Sequence, residues 1–221
     1  MQTFEVKVKL DEGGVLPKQA HEGDVAVDLY TAKDVIIAPN MLKGIIVPTN
    51  IHTEFDSTTH GLFISPRSSI YKYPLALANS TGIIEGNYRG VLGIPLKNTL
   101  TPITSLLAGY ILKIGVDGNI TKIGKKQLSD QYPDACVDYY TNIEKDWTTR
   151  MTDEMMGTKA VSNQLAGLKR GFFLEGSILI PKGTRLMQMY ILPKENISFN
   201  QVDELSDSNR GTGGFGSSGV A

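Results

Sequence analysis

Apolar and polar positions alternate along much of this chain. Phe4, Val6, Val8 and Leu10 are interleaved with Glu5, Lys7 and Lys9, and Asp11-Glu12-Gly13-Gly14 ends the run. Alternation at period two puts the apolar side chains on one face of a strand and the charges on the other. An N-terminal strand with one solvated face is therefore predicted. Val25, Val27 and Leu29 keep the same period, with Asp28 set among them. Strand-like runs follow at 35–38, 42–47 and 61–65, separated by Pro39, Pro48-Thr49-Asn50 and residues 56–60. Leu92, Ile94 and Leu96 alternate again, and the runs 172–174, 178–180 and 185–192 resume the pattern. Many short strands with turn residues between them indicate an all-β sandwich or jelly roll.

The interval 99–174 reads differently. Tyr110, Leu112, Ile114 and Val116 alternate, Asp117-Gly118 turns the chain, and 120–123 returns, which is a hairpin signature. Ile143, Trp147, Met151 and Met155 recur every fourth residue, as on one face of a short helix begun near Thr141-Asn142. Val161, Leu165 and Leu168 indicate a second helix. The chain thus divides into a β core (1–98 and 175–205), a small mixed α/β segment (99–174, a hairpin plus one or two helices) and a Gly/Ser-rich C-terminal arm (206–221).

Composition narrows the function. A chain of 221 residues, 41% hydrophobic and 20% charged, fits one ordinary soluble domain with a large insertion. The net charge of −1 gives no field to recruit nucleic acid or an anionic membrane, and charges in 99–174 are balanced too. No apolar run approaches the ~18–20 residues that span a bilayer, and the N-terminus has no signal-peptide core. One cysteine, Cys136, excludes an internal disulfide and a multi-cysteine metal site. A cytoplasmic protein is expected. His52 and His60 have no acid or serine at a suggestive spacing and are read as loop or surface residues.

Five features are candidates for function, each with a plain alternative. In 79–98, Glu85 stands among Gly82, Gly86 and Gly90, with Asn79 before it and Tyr88 after. Such a hairpin holds a base and a sugar close to the main chain, or it carries an ordinary surface glutamate. Asp28, on an apolar face, needs a partner, because a bare buried carboxylate is costly; it also reads as a strand-end residue holding a turn. Arg67-Ser68-Ser69 offers a planar cation and short-range donors to phosphate, or a solvated turn. The tail from Arg210 to Gly219 is a linker, or a glycine nest for an anion. Trp147 with the nearby methionines packs on the core, or forms an adaptable partner patch.

Read together, Ala26-Val27-Asp28-Leu29, Pro66-Arg67-Ser68-Ser69, the stretch around Glu85, 183–188 and 210–219 resemble the five ordered motifs of the trimeric dUTPase family. The resemblance implies a jelly-roll core and hydrolysis of dUTP to dUMP and pyrophosphate, which limits uracil in DNA. It implies Mg²⁺ held by the triphosphate and water, with Asp28 acting through water and no direct protein ligand. Glu85 would activate the water attacking the α-phosphorus, assisted by Gln188 and Arg67. Ser68 and Ser69 would line the phosphate channel. Asn79 and the main chain of Gly82, Ile83, Ile84 and Gly93 would hold uracil, and Tyr88 would exclude a ribose 2′-hydroxyl. Arg210, Phe215, Gly216, Ser217 and Ser218 would close the site, which in this family is shared within a homotrimer.

Three departures from the family pattern, and one difference from its relatives, matter. The family has Asp where this chain has Glu85, a shift of about 1 Å that can cost on the order of 10²-fold. Thr184 stands where Asp is common, which bears on how Arg185 is anchored. Pro95 fills the slot of the catalytic Glu in the related dCTP deaminases, which argues against deamination. The interval 99–174 lies outside the usual pattern; some phage members carry an extra segment here that engages host or regulatory proteins. A nucleotide-gated interaction protein with weak hydrolysis therefore stands beside the enzyme reading, as does a pyrophosphatase for a modified pyrimidine deoxynucleotide. A phage-encoded member would act in the host cytoplasm.

Overall fold

The computed structural model describes residues 3–101, 107–150, 158–209 and 211–212. Its first strands are β1 (Lys7–Leu10), β2 (Val27–Leu29), β3 (Val35–Ile37), β4 (Ile45–Pro48), β5 (Ile51–Glu54) and β6 (His60–Pro66). They are followed by β7 (Leu75–Leu77), β8 (Gly82–Ile84), β9 (Gly93–Asn98), β10 (Leu107–Ala108), β11 (Tyr110–Ile114) and β12 (Ile120–Gly124). Helices α1 (Lys125–Gln131), α2 (Pro133–Arg150) and α3 (Lys159–Lys169) intervene before β13 (Phe173–Leu174), β14 (Ile178–Ile180) and β15 (Met187–Pro193). The strands build sheets in the orders β2-β15-β6-β8, β4-β9-β7 and β12-β11-β14-β3, with the pairs β1-β5 and β10-β13 beside them. The architecture is the expected β-rich jelly-roll type, assembled from packed sheets rather than one closed barrel.

Period two explains the main core. Leu62 and Ile64 of β6 and Met187 and Met189 of β15 point inward with Leu29, Val47, Ile94 and Leu96. Phe63, Ser65, Gln188 and Tyr190 lie between them in sequence and therefore occupy the opposite face of that sheet. That outer face holds the polar residues Ser65, Gln188 and Tyr190.

A second cluster covers the sheet containing β3 and β14. Both strands read as unbroken apolar runs, because both of their faces are buried. Ile37, Ile178 and Ile180 pack into the main core, whereas Ile36 and Leu179 lie under α2 with Tyr139, Ile143 and Trp147. The Leu174 amide donates to the Tyr139 hydroxyl at 2.8 Å, which lies 2.9 Å from the Ser177 hydroxyl; together they tie α2 to the strands. Trp147, 3% exposed, is packing material and not part of an external patch.

The hairpin in the insertion is β11 and β12, joined through Asp117 and Gly118 in the register Ile114↔Ile120. β11 also pairs in parallel with β14, so this segment extends the core sheet. The helix around Ile143 starts earlier than its pattern indicated, at Pro133, a residue whose missing N–H costs nothing in a first turn. α1 escaped notice because its sequence KKQLSDQ buries only Leu128. Met151 and Met155 lie outside the described residues. Cys136 is buried against the same cluster, and burial pushes its thiol pKa up, a structural cysteine with no acidic thiol. Among the described residues, no helix is long and apolar enough to cross a membrane.

Candidate functional site

The first half of the site follows from strand register. Gln188 of β15 lies opposite Asp28 of β2 on one side and Ser65 of β6 on the other, so three polar side chains share the sheet's outer face. Asp28 is 5% exposed. Its two carboxylate oxygens are both engaged: Oδ1 forms an ion pair with Arg67, whose Nε lies 2.7 Å away, and Oδ2 accepts a hydrogen bond from Arg185 Nη1 at 3.0 Å. This resolves the buried-carboxylate problem posed by the sequence: Asp28 orients two guanidinium groups. Arg67 is fixed further by its backbone, whose N–H donates to the Leu186 carbonyl at 2.9 Å. It caps the 3-10 turn Ser68–Lys72, which begins with the exposed Ser68 and the half-buried Ser69. Arg67 Nη1 also reaches the Arg185 carbonyl at 3.5 Å, and the side chain lines a cleft of about 480 Å³ with Asp24, Asp28, Ser65, Gln188 and Tyr190.

Arg185 is thus anchored by Asp28 and needs no acid at position 184. Thr184 serves the turn instead: its amide N–H donates to Thr31 Oγ1 at 3.0 Å, and both Thr31 and Thr184 donate their hydroxyls to the Pro181 carbonyl. Ser65 and Tyr190 bring their hydroxyls within 3.1 Å on the cleft wall. Sequence reasoning overlooked both, although Tyr190 falls two residues after Gln188 and period two alone puts them on one face.

The second half is the hairpin after β8. Glu85 is exposed; its backbone carbonyl accepts from the Tyr88 N–H at 3.0 Å, closing a tight turn. A side chain at Gly86 would strike the Phe55 carbonyl, and one at Gly90 would strike the Tyr88 ring. The glycines therefore let the turn lie on the body and let Tyr88 fold back, where its hydroxyl donates to the Val91 carbonyl at 3.2 Å. Tyr88 stays 46% exposed and Ile83 64% exposed. Asn79 is exposed in the turn between β7 and β8, Ile84 packs against the main core, and Gly93 pairs with Pro48. The Glu85 turn is also held by charge: Arg89 Nη2 lies 3.0 Å from Glu54, and the Arg89 carbonyl lies 2.7 Å from the His52 ring.

His52 is not the idle surface residue its spacing implied. It contacts Asp11 at 2.7 Å, a partner brought together by the β1–β5 pairing, which sequence distance hides. A hydrogen bond to Asp11 raises the His52 pKa; the same bond, with help from Lys9, lowers that of Asp11.

Within one chain the two halves do not meet. Glu85 follows β8, three strands from Asp28, and four residues further along by register. With strands ~4.8 Å apart and ~3.4 Å per residue, the separation is roughly 20 Å. Arg210, Phe215, Gly216, Ser217 and Ser218 lie outside the described residues. Among the described residues there is no cluster of three or more His, Cys, Asp or Glu able to hold a metal. Asp28 retains lone pairs beyond those taken by its arginines, since a carboxylate has about four acceptor sites. The donor set thus fits a cation carried by the ligand and touched through water.

Comparison with known proteins agrees with the geometry. The protein-family model described as dUTPase matches residues 13–106, a span that includes Asp28, Arg67 and Glu85. A deoxyuridine 5'-triphosphate nucleotidohydrolase of Picosynechococcus is 27% identical over 214 residues, 96% of each chain. The corresponding protein of Mycolicibacterium gilvum is 38% identical over 107 residues, 47% of this chain and 68% of its own. The dUTPase of Staphylococcus bacteriophage 80alpha with dUPNHPP superposes with a TM-score of 0.67 at 25% identity, covering 99% of this chain and 100% of that one. That phage protein is described as controlling transfer of virulence genes by a G protein-like mechanism. Fold, register and sequence converge: the chain belongs to the dUTPase family.

Proposed function

We propose that the chain hydrolyses dUTP to dUMP and pyrophosphate. The observation that carries this reading is the pair of arginines locked on Asp28 beside Gln188, on the same chain as the glycine-framed Glu85–Tyr88 turn. Arg67, Ser68 and Ser69 bind the phosphates, and Gln188 helps place the α-phosphate and the water. Glu85 takes a proton from that water as it attacks the α-phosphorus in line, and pyrophosphate leaves. The Asn79 amide and the main chain of Gly82, Ile83, Ile84 and Gly93 read uracil. Tyr88 blocks a 2′-hydroxyl by occupying its space. Mg²⁺ would be held by the triphosphate and water with Asp28 beside it, and would supply neutralising charge to the phosphates. The tail residues Arg210 and 215–218 close over the ligand and exclude bulk solvent.

The separation of roughly 20 Å between Glu85 and Asp28, estimated from sheet spacing, supports a site completed by a second copy. The outer sheet face between them bears Ile83 and Leu192, exposed by 64% and 45%, an apolar surface suited to burial in a homotrimer. The reading places the enzyme in the cytoplasm, that of the host if a phage encodes it. The test is pyrophosphate release from dUTP. Turnover that needs Mg²⁺ and collapses in Glu85→Gln with dUPNHPP binding retained supports the proposal; tight dUTP binding without turnover refutes it.

The match to the 80alpha protein over almost the whole chain supports a second role, a nucleotide-gated contact made by residues 99–174. Deleting that interval is a poor test, because β11 and α2 complete the core. Charge reversals on the exposed face of α2, at Glu144 and Lys145, leave the packing intact. Loss of nucleotide-dependent partner binding with hydrolysis unchanged supports the role; unaltered binding counts against it.

A further inference from the structure

The turn carrying Glu85 and Tyr88 has little apolar anchorage, since Glu85, Asn87, Tyr88 and Arg89 are all exposed. A polar lattice holds it from β1 and β5. Arg89 Nη1 donates to the Gly86 carbonyl at 2.7 Å and to the Tyr88 carbonyl at 3.1 Å. Arg89 Nη2 pairs with Glu54, which Lys7 holds in turn at 2.8 Å. The Arg89 main-chain carbonyl faces His52 Nδ1 at 2.7 Å, and His52 Nε2 faces Asp11 Oδ2 at 2.7 Å.

The ring therefore stands between two acceptors. A carbonyl oxygen carries no proton, and neither does an ionised carboxylate, so both contacts are satisfied only when both ring nitrogens are N–H. That species is the imidazolium. The other charges facing it are Lys9, opposite His52 across β1–β5 and 3.0 Å from Asp11, together with the Arg89 guanidinium, Glu54 and Lys7. The Asp11 bond favours the charged ring most and the Arg89 carbonyl next, while burial and, less strongly, Lys9 oppose it.

We propose that Arg89 and His52 are positioning residues for hydrolysis: charged His52 clamps the Glu85–Tyr88 turn to β5 and releases it as the pH rises. A neutral ring has one N–H: with Nδ1 bare it drops the Arg89 carbonyl, and with Nε2 bare it drops the Asp11 bond that fixes the ring against that carbonyl. The clamp weakens either way, the proton passing to solvent through the 17% of the side chain that is exposed. Released, the turn no longer holds the Glu85 carboxylate on the attacking water, so kcat falls more than KM rises. The inference rests on Glu85 being the base, and its test has an arm independent of turnover.

The experiment combines ¹⁵N-histidine NMR of the full-length protein with pH profiles of pyrophosphate release from dUTP, on wild type, Asp11→Asn and His52→Gln. The expected result is a His52 ring with both nitrogens protonated at pH 6, backbone amides of residues 85–90 that follow its titration, and an alkaline limb in kcat at the same pH. Asp11→Asn moves ring titration and limb together to lower pH by on the order of one unit, and His52→Gln abolishes the limb. A singly protonated ring at pH 6, or a limb unmoved by Asp11→Asn, overturns the inference. If the NMR result holds while wild type releases no pyrophosphate, the hydrolytic reading fails and the clamp stands. If dUTP is hydrolysed without the titration, the clamp alone fails.

Discussion

Asp28→Asn probes the arrangement around the phosphates most deeply. The carboxylate is nearly buried, with 7% of its side chain exposed, and each oxygen faces one guanidinium: Oδ1 in an ion pair with Arg67, Oδ2 accepting a hydrogen bond from Arg185. Asparagine keeps an acceptor for Arg67 but turns an NH₂ toward Arg185, donor against donor. A hydrogen bond to a charged group contributes about 1.5–3 kcal/mol. The Arg67 bond is close to that range, because Arg67 is only 25% exposed. The Arg185 side chain is 46% exposed, so solvent screening reduces its share to below about 1 kcal/mol. A loss of about 2–4 kcal/mol follows, and at ~2–4 °C per kcal/mol for a chain of this size the Tm falls by roughly 4–16 °C. Catalysis suffers more, since an Arg67 displaced by about 1 Å costs on the order of 10²-fold in kcat/KM. Differential scanning fluorimetry and dUTP turnover read the two effects. An Asp28→Asn protein with wild-type Tm and wild-type kcat/KM refutes the assignment of Asp28 as the group that orients both arginines.

Four further outcomes follow from the same geometry. Trp147→Ala opens a cavity between α2 and β3 costing about 3–5 kcal/mol, seen as a lower denaturant midpoint with the Kd for dUPNHPP unchanged; a null effect on the midpoint contradicts the packing role. Tyr190→Phe removes one hydroxyl from the cleft wall and lowers stability by about 0.5–1.5 kcal/mol, with the cost lost in a Ser65→Ala background. A panel of nucleoside triphosphates ranks dUTP first by kcat/KM and UTP far below it, and Tyr88→Ala narrows that gap; equal use of UTP by wild type contradicts the role of Tyr88. Amide protection in β1 and β5 is greatest where both Asp11 and His52 are charged. The Asp11 contribution is present above its ordinary 3.8 and disappears as pH falls through its lowered pKa. That of His52 is complete below its ordinary 6.5 and disappears as pH rises through its raised pKa. Hydrogen exchange across pH 3–9 checks this window, and a pH-independent protection pattern contradicts it.

Much of this was legible in the sequence, for a physical reason. Period-two alternation fixes which residues of β6 and β15 face the core, and so places Gln188 and Ser65 on the outer face without any tertiary knowledge. The Asp117-Gly118 turn similarly announces β11 and β12. Pairings between distant segments were not legible. His52 looked idle because Asp11 reaches it only through the β1–β5 ladder. How Arg185 is anchored with Thr184 beside it was not readable from spacing, because Asp28 is its neighbour only across β2 and β15. α1 was silent because a helix burying only one leucine has no periodic stripe. Alternation also failed to show that Glu85 and Asp28 sit far apart in one chain, since strand order is a property of the sheet.

That separation gives the sharpest test of the account, in which Glu85 of one copy serves phosphates held by Arg67 of another. Glu85→Gln and Arg67→Ala are each expected to abolish pyrophosphate release from dUTP. Co-expressed as mixed oligomers, they regenerate about a quarter of wild-type turnover, because half of the copies supply each intact half-site. Mixed oligomers as inactive as either parent contradict the account.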